Sequence, residues 1–145
     1  MNLPYYQFKI SSVKGREKIF DVFRKKYVSL TPEEWVRQNF LMWLHKEKAY
    51  PAGLIAVESS TKYNTLAKRA DAIIFSKNGR PIMIVECKAP DVKISQDVFD
   101  QVARYNFSIR ATYIAITNGL EHFCCKMNSE STWKFLDQVP DFNEL

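Results

Sequence analysis

The sequence predicts a mixed α/β fold, in which one central β-sheet is flanked by α-helices. Short segments rich in β-branched and apolar residues are typical of strands, and two segments with apolar residues at helical spacing lie among them. The predicted strands cover 54–62, 69–75, 82–88, 112–117 and 120–127, and the predicted helices cover 31–48 and 97–109. Elements mixed in this way form layered domains. Because 145 residues are one domain's worth of chain, we expect a single domain over residues 1–145.

The composition narrows the class of protein. Hydrophobic residues make up 46% of the chain and charged residues 26%, which is typical of a globular domain. The longest apolar runs are far shorter than the roughly 20 residues of a membrane-spanning helix, and the charged N-terminal segment is unlike a secretion signal. We therefore expect a cytoplasmic protein with no membrane partner. Three cysteines and two histidines favour neither a disulfide framework nor a zinc site. The net charge of +5 permits an anionic partner such as nucleic acid.

The N-terminal elements follow from local signals. Residues 5–28 alternate loosely between apolar and charged, with Lys14-Gly15 as a turn, which predicts a β-hairpin extension. Thr31 followed by Pro32 is a helix start, and Glu34 lies three residues after Thr31, as in a capping box. Glu33 shares the side of this helix that carries the apolar stripe, whereas Glu34 is expected to point elsewhere. Glu33 could instead only complement the helix dipole.

A hairpin over residues 69–88 carries the most informative pattern. Asn78-Gly79 predicts a two-residue type I′ turn. The resulting register pairs Ser76 with Pro81, Phe75 with Ile82, Ile73 with Ile84, and Asp71 with Glu86. Opposed Cβ atoms lie about 4.5–5.5 Å apart, where two ionised carboxylates repel by roughly 3 kcal/mol. Either one carboxylate keeps a proton or a cation lies between them. Lys88 falls on the same face as Glu86.

Two carboxylates and an ammonium group suit metal-assisted phosphodiester hydrolysis. Mg²⁺ takes one or two carboxylates and keeps several waters, and a lysine can orient or deprotonate the attacking water or stabilise developing charge. Asp71 and Glu86 are therefore candidate metal ligands, and Lys88 is a candidate catalytic group. An ordinary cross-strand salt-bridge network with Arg69 or Lys88 would explain the same residues.

Two further groups of residues could contribute to such a site. Gln101 and Tyr105 lie four residues apart within the apolar stripe of the second helix, so they either line a site or find polar partners in the core. Lys62, Lys68 and Arg69 precede the Asp71 strand, where a phosphate backbone could pass; a solvated loop would explain them equally well.

At these residues the sequence resembles the PD-(D/E)xK nuclease superfamily, and in particular the N-terminal nuclease domain of type I restriction enzyme R subunits. Glu33, Asp71, the triplet Glu86-Cys87-Lys88, and Gln101 with Tyr105 match in order and spacing. The similar blocks are Thr-Pro-Glu-Glu-Trp-Val-Arg-Gln (31–38), Lys-Arg-Ala-Asp (68–71), Ile-Val-Glu-Cys-Lys-Ala-Pro (84–90), Asp-Gln-Val-Ala-Arg-Tyr (100–105) and Thr-Asn-Gly-Leu (117–120).

The resemblance implies a restriction-endonuclease-like core and a Mg²⁺-dependent DNA endonuclease site, in which Mn²⁺ would substitute. Asp71 and Glu86 would bind the metal, Lys88 would act on the attacking water, and Glu33 would support the metal site. Gln101 and Tyr105 would form an accessory motif. Type I R subunits join this domain to an ATP-driven translocase, for which 145 residues leave no room. The chain would then act alone, as a homodimer, or with a restriction-system or motor partner in trans.

Two alternatives to a nuclease stay open at this stage. The basic charge and the missing translocase suit a catalytically silent DNA-binding or assembly module of a restriction-modification or DNA-processing complex. A plain structural or protein-interaction domain would make the carboxylates incidental.

Overall fold

A computed structural model of the chain describes residues 1–57, 70–128 and 132–145. It confirms the α/β class and a mixed central sheet with helices. The strands are β1 (Ile10–Val13), β2 (Arg16–Asp21), β3 (Lys26–Ser29), β4 (Ile55–Val57), β5 (Ala72–Phe75), β6 (Pro81–Cys87), β7 (Tyr113–Thr117), β8 (His122–Met127) and β9 (Trp133–Leu136). The α-helices are α1 (Pro32–Glu47) and α2 (Gln96–Ile109), and single 3₁₀ turns cover Ala52–Leu54 and Phe142–Glu144.

The central sheet has six strands in the order β4-β5-β6-β7-β8-β9. Neighbouring strands are antiparallel except β6 and β7, which are parallel and are joined by α2. Parallel neighbours need such a crossover. Strand β9 was not predicted. Its sequence is a short run of aromatic and apolar residues among polar and charged neighbours, which is a weak strand signal.

The two helices pack on opposite faces of this sheet. Strand alternation sends Ala72, Ile74 and Val85 into a core with α1, whereas Ile73 and Ile84 pack on the side of α2. Both cores consist of fully buried apolar side chains, which is where most of the folding free energy of such a layered domain arises. The central sheet is therefore covered by a helix on each face.

The N-terminal extension is a three-stranded antiparallel sheet, so the predicted hairpin had one strand too few. The turn between β2 and β3 is held by Asp21, whose Oδ1 accepts from the backbone N–H groups of Phe23 and Arg24. Aspartate favours turns for this reason. The extension packs against α1 through the ring pairs Phe8–Trp35 and Phe23–His45.

The predicted start of α1 is confirmed. Thr31 Oγ1 accepts from the backbone N–H of Glu34 at 3.0 Å, and Pro32 is the first helical residue. The reciprocal half of the expected capping box is absent among the described contacts. The Glu34 carboxylate is instead occupied by side chains, which are described below.

The hairpin between β5 and β6 reaches the predicted register by a different route. Asn78 does not have the positive φ of a type I′ turn; Ser76 and Arg80 are bonded across a three-residue turn in which Gly79 is left-handed. Phe75 then pairs with Pro81, so the predicted pairs at the turn were wrong. An irregularity after Ile74 adds back one residue, and the predicted pairing of Ile73 with Ile84 is confirmed.

No helix among the described residues is long and apolar enough to cross a membrane.

Gly119 closes the turn between β7 and β8 and gives a test of this fold. Its φ is +87°, and a Cβ there would lie 2.8 Å from Met1 Sδ and 3.2 Å from Val36 Cγ2. We expect Gly119→Ala to lower the free energy of unfolding by about 1–2 kcal/mol, because it combines left-handed strain with overpacking. Gly53→Ala is the matched control, since a Cβ at Gly53 meets nothing within 4 Å. Equal effects of the two variants in urea unfolding would contradict this arrangement.

Candidate carboxylate and lysine site

Asp71, Glu86 and Lys88 meet at one end of the central sheet. Asp71 directly precedes β5, and its backbone N–H donates to Val85 O of β6 at 3.1 Å. Glu86 is the last but one residue of β6, and Lys88 follows that strand with its N–H bonded to Thr117 O of β7. The structure thus brings together the three residues that the hairpin pattern singled out.

Glu86 is a buried carboxyl group, only 7% exposed. Its Oε2 lies 3.3 Å from Lys88 Nζ. Burial and the neighbouring Asp71 carboxylate raise the pKa of Glu86 to about 9, against the opposing effect of Lys88. Burial and the charge of Asp71 thus favour the protonated form of Glu86, which relieves the repulsion between the two carboxylates.

Both oxygens of Asp71 have donors. Oδ2 accepts from the backbone N–H of Cys87 at 2.6 Å, and Oδ1 accepts from Arg37 Nη2 at 2.8 Å. The first contact ties Asp71 to the end of β6, and the second ties it to α1. The Asp71 carboxylate is thus fixed in place from two elements.

Arg37 is a site residue that the sequence patterns did not indicate. It is buried, and its Nη1 donates to Glu34 Oε1 at 2.8 Å while its Nη2 contacts Asp71. Glu34 also accepts from Gln38 and from Arg24, and Arg24 is paired with Asp21. The spacing of Glu34, Arg37 and Gln38 at three and four residues is the one signal that could have revealed part of this network.

The two glutamates at the start of α1 are placed differently from the prediction. Glu34, which was expected to point elsewhere, is buried in the network, because the N-terminal sheet covers that side of the helix. Glu33 is 47% exposed and lies 3.5 Å from Arg37 Nη2. Partial burial and Asp71 raise the pKa of Glu33, whereas Arg37 and Lys88 lower it. Glu33 therefore faces the same site from its open side.

Gln101 and Tyr105 do not join this cluster in the described structure. Gln101 is exposed, Tyr105 is half-buried, and the two bond each other at 3.2 Å without a contact to Asp71, Glu86 or Lys88 in the described structure. The prediction that Gln101 lies in the apolar stripe was wrong; the buried polar residue of α2 is Asn106, which bonds the backbone of Ala111. Lys62, Lys68 and Arg69 lie outside the described residues.

Asp71 and Glu86 are the two carboxylates of the cluster that could hold a metal ion. Within the described ranges, no group of three or more histidine, cysteine, aspartate or glutamate side chains could hold a metal ion. Mg²⁺ needs only one or two carboxylates, since waters complete its shell.

Fold and site together define a mixed α/β protein in which two carboxylates and a lysine meet at the end of a central sheet. Among known protein families, the model of the type I restriction enzyme R protein N terminus matches residues 32–140. The chain belongs to this family. No curated protein and no solved structure matches the chain.

The buried position of Arg37 predicts a large effect on stability. We expect Arg37→Leu to lower the free energy of unfolding by about 3–5 kcal/mol, because it leaves the Glu34 and Asp71 carboxylates buried without their shared partner. The exposed Arg104 on α2 offers a matched control, and Arg104→Leu should change stability by no more than about 0.5 kcal/mol. Urea unfolding at neutral pH measures both. A loss below about 1 kcal/mol for Arg37→Leu would show that the network adds little.

Glu86 predicts a pH dependence of stability. Because its pKa is higher in the folded protein than in the unfolded chain, the folded state binds more protons, and stability falls as pH rises from about 4.5 towards about 9. Glu86→Gln removes this loss, so at pH 8 the variant should be more stable than wild type by a few kcal/mol. The exposed Glu121→Gln should retain the wild-type profile. If Glu86→Gln unfolds with the same pH profile as wild type, Glu86 does not hold the proton.

Proposed function

We propose that this chain is a Mg²⁺-dependent DNA endonuclease with a restriction-endonuclease-like core of the PD-(D/E)xK type. The observation that carries the proposal is the convergence of Asp71, Glu86 and Lys88 in a chain of this family. A buried carboxyl group with a strongly raised pKa next to a second carboxylate costs stability, and such groups concentrate at functional sites.

In this proposal Asp71 and Glu86 hold the metal. A bound Mg²⁺ would polarise the phosphoryl oxygen and lower the pKa of a bound water. Because a carboxyl group binds a metal ion only in its deprotonated form, Glu86 would lose its proton as Mg²⁺ binds. Metal binding would therefore release a proton. The Asp71 carboxylate has about four acceptor sites, and the two described donors, Arg37 and the Cys87 N–H, leave room for a cation.

Lys88 acts as a cation in this site. Partial burial lowers its pKa, but Glu86, Asp71 and Glu33 raise it more, so the net pKa is above the usual value for lysine. A lysine held in its charged form donates hydrogen bonds to the attacking water or the transferring phosphoryl group and stabilises developing negative charge.

Arg37 is a positioning residue in this proposal. It holds Asp71 through one nitrogen while Glu34 holds the other, so the guanidinium cannot follow a moving carboxylate without losing a buried partner. Precise placement of ligands matters because catalysis is sensitive to small displacements.

A silent DNA-binding or assembly module is the second candidate function. The observation that favours it is the same Arg37, whose contact supplies Asp71 with positive charge in the absence of a metal. This alternative makes the cluster purely structural.

Calorimetry combined with cleavage assays separates the two functions. We expect Mg²⁺ and Mn²⁺ to bind wild type, and binding to be lost in Asp71→Asn and in Glu86→Gln. Lys88→Ala should keep metal binding and lower the rate of DNA cleavage about 100- to 1,000-fold. Asp97→Asn and Lys93→Ala, both at exposed positions, are the matched controls.

The outcomes point in different directions. Metal binding with no cleavage of single-stranded, duplex or branched DNA would contradict the nuclease and favour the silent module. Metal binding that survives both carboxylate substitutions would place the metal elsewhere.

A further inference from the structure

The N-terminal sheet carries a second surface with its own chemistry. Alternation along β2 buries Ile19 and Asp21 on one side, which leaves Lys18 and Phe20 on the other. We call this other side the outer face. It consists of Lys9, Ser11, Val13, Arg16, Lys18, Phe20, Tyr27 and Ser29, as the strand register places them.

The outer face is basic. Lys9, Arg16 and Lys18 lie on it, whereas the acidic residues of the three described strands, Glu17 and Asp21, lie on the opposite face. None of the three cations forms an ion pair within the part of the chain that the structure describes. Positive charges that are separated from the acidic residues in this way attract an anionic partner.

An aromatic pair lies among these cations. Phe20 and Tyr27 are cross-strand partners with ring centroids 5.2 Å apart, and Tyr27 is 45% exposed. Lys9 Nζ lies 5.9 Å from the centroid of Phe20. An exposed aromatic ring beside cations on a sheet suits stacking of an unpaired base, whose phosphate the cations contact.

We propose that the outer face binds single-stranded DNA, with phosphates on Lys9, Arg16 and Lys18 and a base stacked on Tyr27. Duplex DNA would use the cations but not the ring, because its bases are already stacked and paired. An acidic protein would also contact the cations, but it has no base that could stack on Tyr27. The aromatic pair therefore selects the single strand among the anionic partners.

The outer face is linked to the carboxylate and lysine site but is separate from it. Asp21 lies on the inner face of the same strand, and Arg24 follows in the next turn; these two residues begin the ionic series that reaches Asp71. The family match begins at residue 32, so it does not include the outer face. The inference goes beyond the proposed function, and binding at this face does not require cleavage.

Fluorescence anisotropy with a labelled oligothymidine in EDTA tests the proposal. We expect Tyr27→Ala to raise Kd about 5- to 100-fold, since stacking of one base is lost, and Tyr27→Phe to restore most of the affinity. Lys18→Ala should reduce the slope of log K against log salt by about 0.7. The matched controls are Phe107→Ala, at a ring that is 83% exposed on α2, and Lys77→Ala, in the exposed turn between β5 and β6.

Three results would overturn the proposal. The first is wild-type affinity in both Tyr27→Ala and Lys18→Ala. The second is a loss of affinity in the two control variants as large as the loss in Tyr27→Ala and Lys18→Ala. The third is binding of duplex DNA that depends on Lys18 but not on Tyr27. The far-UV circular dichroism of each variant shows whether the small sheet is intact, and Lys18→Glu adds a second charge variant.

The same measurements keep this inference apart from the nuclease. If wild type cleaves DNA but binds oligothymidine independently of Tyr27, only the proposed binding of single-stranded DNA at the outer face would be overturned. Binding that depends on Tyr27 and Lys18 in a chain that neither binds metal nor cleaves would overturn only the nuclease.

Discussion

The buried contact of Arg37 with Asp71 is the constraint on which the arrangement of this protein depends. A guanidinium and a carboxylate that leave water need partners with good geometry, because the interior does not repay their lost hydration otherwise. Arg37 meets this requirement only when α1 lies with that side of its first turns towards the start of β5. Apolar packing by Val36 and Phe40 sets the helix on the sheet, but apolar contacts tolerate small slips, whereas this ion pair does not.

Ion pairs also link the N-terminal sheet to this contact. Glu34 is shared between Arg37 and Arg24, and Arg24 is shared between Glu34 and Asp21. The three inner members, Arg24, Glu34 and Arg37, have partners of opposite sign on both sides, so the removal of one of them leaves its neighbours underpaired. The turn after β2, the start of α1 and the start of β5 are therefore held by one electrostatic unit. This unit also explains why α1 is buried on almost every side, unlike an ordinary surface helix.

Local patterns predicted most of the fold and the centre of the site. The Thr31-Pro32 start of α1 rests on short-range chemistry that a sequence displays directly. The turn type could not be predicted, because a longer turn and an irregularity offset each other and leave the predicted register from Ala72 to Ile74. Arg37 could not be predicted either, since its partner Asp71 lies 34 residues away in the chain. Gln101 shows the converse error. Its helical spacing from apolar residues predicted that it lies in the apolar stripe, but it is exposed.

The ionic series also bears on why the site keeps a costly group. Asp21, Arg24, Glu34, Arg37 and Asp71 alternate in sign and end on a carboxylate, and Lys88 adds one further cation. Lys88 is the cation that contacts Glu86, but burial and the neighbouring Asp71 carboxylate outweigh it and raise the pKa of Glu86. A buried hydrophobic or amide side chain at the same place would remove the cost of this burial, so the stability of the fold does not account for a carboxyl group there.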